Sequence, residues 1–189
     1  MSDKPVGSPN EDGLTSPVPP SRLGALMREL VASVLPALVI VLLVNIFLAQ
    51  ATRVDGQSME PNLHDHQRLI IEKVSYHFHA PQRGDIVVLR PPQRQNIPLI
   101  KRVIGLPGET IEIHDSHVYI NGVLLEEPYL TQTTWGTLPA QLVPEGHIFV
   151  LGDNRGSSND SRAFGAIPLD DVIGRAWLRY WPFAEASLL

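Results

Sequence analysis

The chain has 189 residues, 43% of them hydrophobic, with a formal net charge of -5, which suits one ordinary domain plus a tail or anchor. It contains no cysteine, which excludes thiol nucleophiles, disulfides and cysteine-ligated metals. With an acidic balance and no run of like charge, no nucleic acid partner is expected, and no internal repeat is evident.

Residues 1–21 are rich in Pro, Ser, Gly and Asp and offer too little apolar surface to offset ordering, so a disordered tail is expected. Residues 30–50 carry no charge. As a helix rising about 1.5 Å per residue they would reach roughly 30 Å, the thickness of a bilayer core. The reading is therefore a membrane anchor over residues 22–51 with one transmembrane helix; Pro36 and Asn45 are tolerable within such a span. Two other readings compete: a soluble core helix, and a cleaved secretory signal ending at Ala49-Gln50-Ala51, which has the A-x-A form. Arg22 and Arg28 lie before the span and Arg53 and Arg68 after it, so charge does not settle orientation.

Beyond the span the pattern turns to short β-branched runs, at 68–74, 85–90, 97–104, 110–113, 117–120, 147–151 and 173–180, separated by turn signals. They predict a mainly β fold: an antiparallel sheet or barrel-like domain over residues 52–189, with a small β insertion at about 107–146. Asn121-Gly122 suits a type I′ hairpin turn. Within 97–104, a period of two puts Lys101 on the face of Leu99 and Val103, and Arg102 on the face of Ile100 and Ile104. One cation must enter apolar surroundings. Arginine stays charged, so Arg102 is expected outward or paired and Lys101 inward, where desolvation favours the neutral amine, a base. The competing reading is a lysine snorkelling from an edge strand.

Two further stretches could carry chemistry. Ser58 sits in V-D-G-Q-S-M-E-P-N-L (54–63), a stiff Gly/Pro turn, and a serine beside a neutral lysine is one variant of nucleophile activation. Residues 152–164, G-D-N-R-G-S-S-N-D-S-R-A-F, form a dense polar loop. Ser58-Met59 with Pro61, Arg83-Gly84-Asp85, Lys101 to Gly105 continuing to Pro107-Gly108-Glu109, and Gly152-Asp153-Asn154-Arg155 followed by Ser158 and Asp160-Ser161-Arg162 resemble, in order, the motifs of type I signal peptidases.

The resemblance implies a membrane-anchored Ser-Lys endopeptidase that removes signal peptides from exported preproteins after a small-x-small site. Ser58 would be the nucleophile and Lys101 the general base. Ser158 would orient the lysine amine, and the Asp160–Arg162 pair would hold the loop. The Ser58 backbone N–H would stabilise the oxyanion. Gly56 stands where some relatives carry serine, and its N–H is the available second donor. Asn62 replaces the usual threonine. An extended substrate would pair with exposed strand edges near 52–55 and 98–100, with Val54, Met59, Leu63 and Ile100 lining shallow pockets. No metal or cofactor is expected. The partners would be preproteins and membrane lipid, the enzyme a monomer, and the location the cytoplasmic membrane, single-pass, with the catalytic domain on the outer face. Arg175, Trp177, Arg179 and Trp181 alternate, reading either as a core strand with exposed arginines or as a lipid-interface face.

Other readings remain open on sequence. His64-Asp65-His66 and His77-Phe78-His79 could build a metal site. A serine-histidine triad could use His64 or His66. A self-cleaving repressor shares the G-x-S-M look, but carries a DNA-binding domain where this chain has a span. A membrane-anchored module could also display a peptide groove without catalysis.

Overall fold

The computed structural model describes residues 22–44, 49–90 and 97–189, so the predicted tail lies outside it. The described residues divide into two bodies, the first reaching Val41 and the second running from Leu42 to Leu189.

The first body is a helix, α1 (Arg22–Leu43). It contains an 18-residue stretch, Leu26–Leu43, with mean hydropathy 2.2, long and apolar enough to cross a membrane. The side chains from Leu26 to Val44 are exposed, so this apolar surface finds no cover within its own helix. The helix begins and ends earlier than the span read from sequence. Residues 49 and 50 instead open a strand, β1 (Ala49–Arg53), whose five residues pair antiparallel with β2 (Arg68–Glu72). An uncharged run does not distinguish helix from strand, and here the ladder takes its last residues.

The second body is mainly β. The remaining strands are β3 (Ile86–Leu89), β4 (Leu99–Gly105), β5 (Thr110–His114), β6 (His117–Ile120), β7 (Val123–Leu124), β8 (Leu138–Leu142), β9 (His147–Leu151), β10 (Ile167–Pro168), β11 (Val172–Trp181) and β12 (Ser187–Leu188). Eight of the described strands form one antiparallel sheet in the order β1-β2-β11-β3-β4-β9-β10, with β12 on β11. A separate four-stranded sheet, β7-β6-β5-β8, is built from residues inside the predicted insertion.

Burial explains the strand patterns. β3, I-V-V-L, is buried at all four positions, so it reads as a continuous apolar run rather than an alternating one. β5 alternates, with Ile111 and Ile113 inward. The β6–β7 turn carries positive φ at both Asn121 (53°) and Gly122 (76°), the geometry of a type I′ hairpin. β11 departs from period two: register shifts fall between Ala176 and Leu178 and between Arg179 and Trp181. Its arginines and tryptophans therefore do not form one uniform face. Arg175 pairs with Asp85 at 3.4 Å and Arg179 donates to Glu185 O at 2.7 Å, whereas Trp177 and Trp181 are exposed.

The core nearest the serine turn is Val54, Met59, Leu63, Leu69, Ile86 and Ala176. A second cluster is made by Val87, Leu89, Val103, Ile148, Val150 and Ile167. The β insertion packs Ile111, Ile113, Val118 and Ile120 on Phe149 and Leu151.

Candidate active site

Lys101 stands in the middle of β4, opposite Val87 of β3, with Val103 buried on the same side. It is 2% exposed. Burial lowers its pKa from the ordinary lysine value to about 8, against the opposing pull of the Asp160 and Asp153 carboxylates. Arg102 points the other way and is paired: its Nε and Nη2 donate to the two Asp153 oxygens at 2.8 and 2.7 Å, and its Nη1 to Gly84 O at 2.8 Å.

The serine arrives on the turn after β1. Met59 and Val54 anchor that turn in the core, and Leu63 N–H closes back on Met59 O at 2.9 Å. This leaves Ser58 half-buried, with its Oγ 2.8 Å from Lys101 Nζ. The amine's other partner is Ile100 O at 2.9 Å. For a neutral amine these contacts fit one N–H given to Ile100 and one lone pair facing the Ser58 hydroxyl, which is the arrangement of a general base.

The loop after β9 holds the turn in place. Asn154 N–H donates to Ser58 O at 3.0 Å, and Asn154 Nδ2 to Gln57 O at 3.1 Å. A Cβ on Gly152 would lie 2.2 Å from Ser158 Oγ and 2.5 Å from Ser58 O; glycine is what lets this loop approach so closely. Asp160 caps the four-residue helix α2 (Ser161–Phe164) through Arg162 N–H. Its carboxylate accepts from Gly152 N–H at 3.1 Å and grips Arg162 Nε and Nη2, both at 2.8 Å. Burial pushes the Asp160 carboxyl up, but the bonds from Arg162 and Gly152 outweigh it and hold it below the usual carboxylate range.

Three expectations differ from this geometry. Ser158 does not bond the lysine, whose partners are Ser58 and Ile100: its Oγ is buried and lies near Asp160, where it helps hold that carboxyl down. The Gly56 N–H is not free for an oxyanion, since it donates to Asp65 Oδ1 at 3.0 Å. That bond is the main reason the Asp65 carboxyl sits below its ordinary range. Among the described residues the Ser58 N–H has no acceptor, leaving it open to an incoming oxygen. Leu63 does not line the groove: it is fully buried in the core below the turn.

The groove beside Ser58 is a cavity of about 100 Å³ bordered by Val54, Met59, Val88, Ile97 and Ile100. Two roomier grooves, of about 510 and 580 Å³, lie along the insertion and beside Tyr76, and neither is lined by Ser58 or Lys101. Two strand edges flank the small one. β1 is bonded on one side only, and on β4 the pairing to β9 begins at Arg102, so residues 99–101 face the groove without a strand partner on that side.

The histidine pairs do not converge on one metal site. The possible ligand atoms found together among the described residues, within 4.8 Å, are those of Asp55, Asp65 and His66, all exposed. Arg53 Nη2 already donates to His66 Nδ1 at 2.5 Å. His77 and His79 each donate Nδ1–H to backbone carbonyls, Lys73 O and Ala80 O, at 2.9 Å.

Sequence reasoning missed one support. Arg155 is 2% exposed and ties the insertion to the loop after β9. Through this one residue the loop and the insertion are joined: it donates to Gly152 O (3.1 Å), to Glu127 at 3.0 and 2.5 Å, and to Thr134 Oγ1 at 2.5 Å. The signal available was an arginine in a buried loop needing a carboxylate; nothing local marked Glu127 as its partner.

The family model described as signal peptidase, peptidase S26, matches residues 27–181. A probable signal peptidase I-1 of Synechocystis sp. is 42% identical over 163 residues, covering 82% of this chain and 83% of that protein. A signal peptidase I of Leptolyngbya laminosa is 44% identical over 156 residues, covering 77% and 75%. A crystal structure of a signal peptidase I from Enterococcus faecalis V583 is 40% identical, covers 51% of this chain and 97% of its own, and has a TM-score of 0.46. With a family model spanning most of its length and full relatives above two-fifths identity, this chain belongs to the peptidase S26 family, serine endopeptidases that remove signal peptides.

Proposed function

We propose that this protein cleaves signal peptides from exported preproteins by a Ser-Lys mechanism, with Ser58 as nucleophile and Lys101 as general base. The observation that carries the reading is the 2.8 Å contact between Ser58 Oγ and the Nζ of a lysine almost wholly withdrawn from water. The neutral amine takes the hydroxyl proton as Oγ adds to the scissile carbonyl carbon. The resulting ammonium gives that proton to the departing amine as the C–N bond breaks. Lys101 then takes a proton from the water that adds to the acyl carbon and returns it to Ser58 Oγ as the acyl–Oγ bond breaks. The free Ser58 N–H supplies one oxyanion donor, an effect worth about 3 to 4 kcal/mol in barrier terms.

An extended substrate lies between the open edges of β1 and residues 99–101 of β4 and gains main-chain hydrogen bonds from both. Alternate side chains turn into the groove by Val54, Met59 and Ile100, where about 100 Å³ admits short side chains and excludes long ones, hence a small-x-small site. The apolar α1 anchors the enzyme in the cytoplasmic membrane as a single pass, with the catalytic body on the outer face. There it works as a monomer at the lipid surface, on substrates delivered by their own apolar segments.

Cleavage of a preprotein by Ser58→Ala and Lys101→Ala, each assayed with and without chelator, tests this. Both substitutions abolish cleavage and chelator leaves the parent enzyme unchanged. Cleavage that survives either substitution, or that chelator removes, overturns the assignment, and a protein that only binds the peptide would be the non-catalytic module.

A further inference from the structure

Asn62 stands four residues past the nucleophile, where the resemblance leads one to expect threonine. Its amide nitrogen donates to Asp153 Oδ2 and to Tyr129 O, each at 2.9 Å, which engages both amide hydrogens. Its backbone carbonyl accepts from Arg179 Nη1 at 3.2 Å. Asp153 is 3% exposed, and the same carboxylate is gripped by Arg102 from the other side. The Arg102 guanidinium lies 4.1 Å from the centroid of the Tyr129 ring.

Asn62, Asp153, Arg102 and Tyr129 thus close a ring, to which Lys101 is attached by one link and Ser58 by two. Arg102 is the strand neighbour of Lys101. Asp153 is the loop neighbour of Asn154, whose N–H holds Ser58 O, and Asn62 sits on the turn that carries Ser58. A threonine hydroxyl has one proton to donate and could serve only one of the two acceptors.

We propose that Asn62 is a positioning residue that sets the distance between Ser58 Oγ and Lys101 Nζ through Asp153 and Tyr129; this rests on Ser58 and Lys101 being nucleophile and base. The substrate groove is lined by other residues, so loss of Asn62 acts on the chemical step and not on binding.

The test uses the full chain in detergent with a preprotein substrate, measuring kcat, KM and Tm for Asn62→Ala, Asn62→Thr and Asn62→Asp, with Ser58→Ala alongside. Asn62→Ala is expected to lower kcat about tenfold or more with KM within about twofold. Asn62→Thr, keeping one donor, recovers part of the loss. Asn62→Asp, equal in volume but facing a second carboxylate oxygen toward Asp153, recovers none. If Asn62→Ala does not fold, the threonine and aspartate variants decide by the same comparison. A kcat within about twofold of the parent across the series, or a kcat restored to the parent value well below each variant's Tm, overturns the proposal. Residual cleavage by Ser58→Ala instead overturns the Ser-Lys reading on which it rests.

Discussion

Gly152 and Gly156 belong to one loop, four positions apart, yet alanine at the two should have opposite consequences. A Cβ on Gly152 would sit 2.5 Å from Ser58 O and 2.2 Å from Ser158 Oγ. The serine side chain could rotate away, but the carbonyl is backbone. Ordinary contact begins near 3.4 Å, so the Ser58 turn or the loop must retreat by about 0.9 Å, in a region packed too densely to absorb it cheaply. Carried into the side chain, that displacement would lengthen the 2.8 Å Ser58–Lys101 contact beyond hydrogen-bond reach, and a misplacement of about 1 Å can cost on the order of a hundredfold in rate. A Cβ on Gly156 meets nothing within 4 Å.

The assay is steady-state cleavage of a preprotein by both variants, with circular dichroism and Tm to establish that each is folded. Gly152→Ala should lose about a hundredfold in kcat, whereas Gly156→Ala should remain close to the parent. If Gly152→Ala is folded and keeps kcat within about threefold, the loop does not set the position of the serine, and the reasoning from close approach is wrong.

The pH dependence of kcat/KM should follow the lysine: inactive while the amine is protonated, rising with pH through about 8 and levelling above it, as a pH-rate series would show. Replacing Lys101 by Met should abolish activity yet stabilise the fold near neutral pH. The lysine's pKa is lower folded (about 8) than unfolded (10.5), so the penalty is fully present below the folded value and fades as pH rises between the two. It is worth at most about 3 kcal/mol at neutral pH; a Tm for Lys101→Met below that of the parent at pH 7 would contradict a desolvated amine. Double replacement of Trp177 and Trp181, both exposed on β11, should lower cleavage of membrane-borne preproteins more than of short soluble peptides. An equal loss on both substrates would count against a lipid-facing role.

The inward lysine was legible because strand periodicity assigns faces without knowledge of neighbours: Lys101 and Val103 are buried and Arg102 is not. Ser58 was not legible in that way. A serine in a Gly/Pro turn has no periodicity to mark it, and only the ordered motifs joined it to a lysine 43 positions away. The misses share a physical cause, since each depended on a partner distant in sequence or on how the chain packs. Asp65 claims the Gly56 N–H from nine residues on. Leu63, expected in the pocket, is fully buried in the core away from the groove lining. β8, L-P-A-Q-L, is exposed at three of five positions and shows no alternation strong enough to read. Where residues 49–50 ended the apolar run, composition alone could not tell that β2 would pair with them.

The site joins two elements with different mechanical properties. Lys101 is mounted on a strand bonded to β3 on one side, its position set by the ladder; Ser58 is on a turn with no strand partner, so its position must be supplied by side chains. Supplying it falls to buried polar groups: Asp153 fixes Arg102 and Asn62, Asp160 fixes Gly152 and Arg162, and Arg155 fixes Gly152 to the insertion. Such groups are costly to bury unless fully bonded, and their bonds here are shared among the strand, the turn, the loop and the insertion. An imidazole base titrates near neutrality without help, but a lysine becomes a base only where water is kept away. The loop that holds the Ser58 turn also brings Asp153 and Asp160 close enough to act on the buried amine, so in the proposed mechanism one loop serves both the nucleophile and the base.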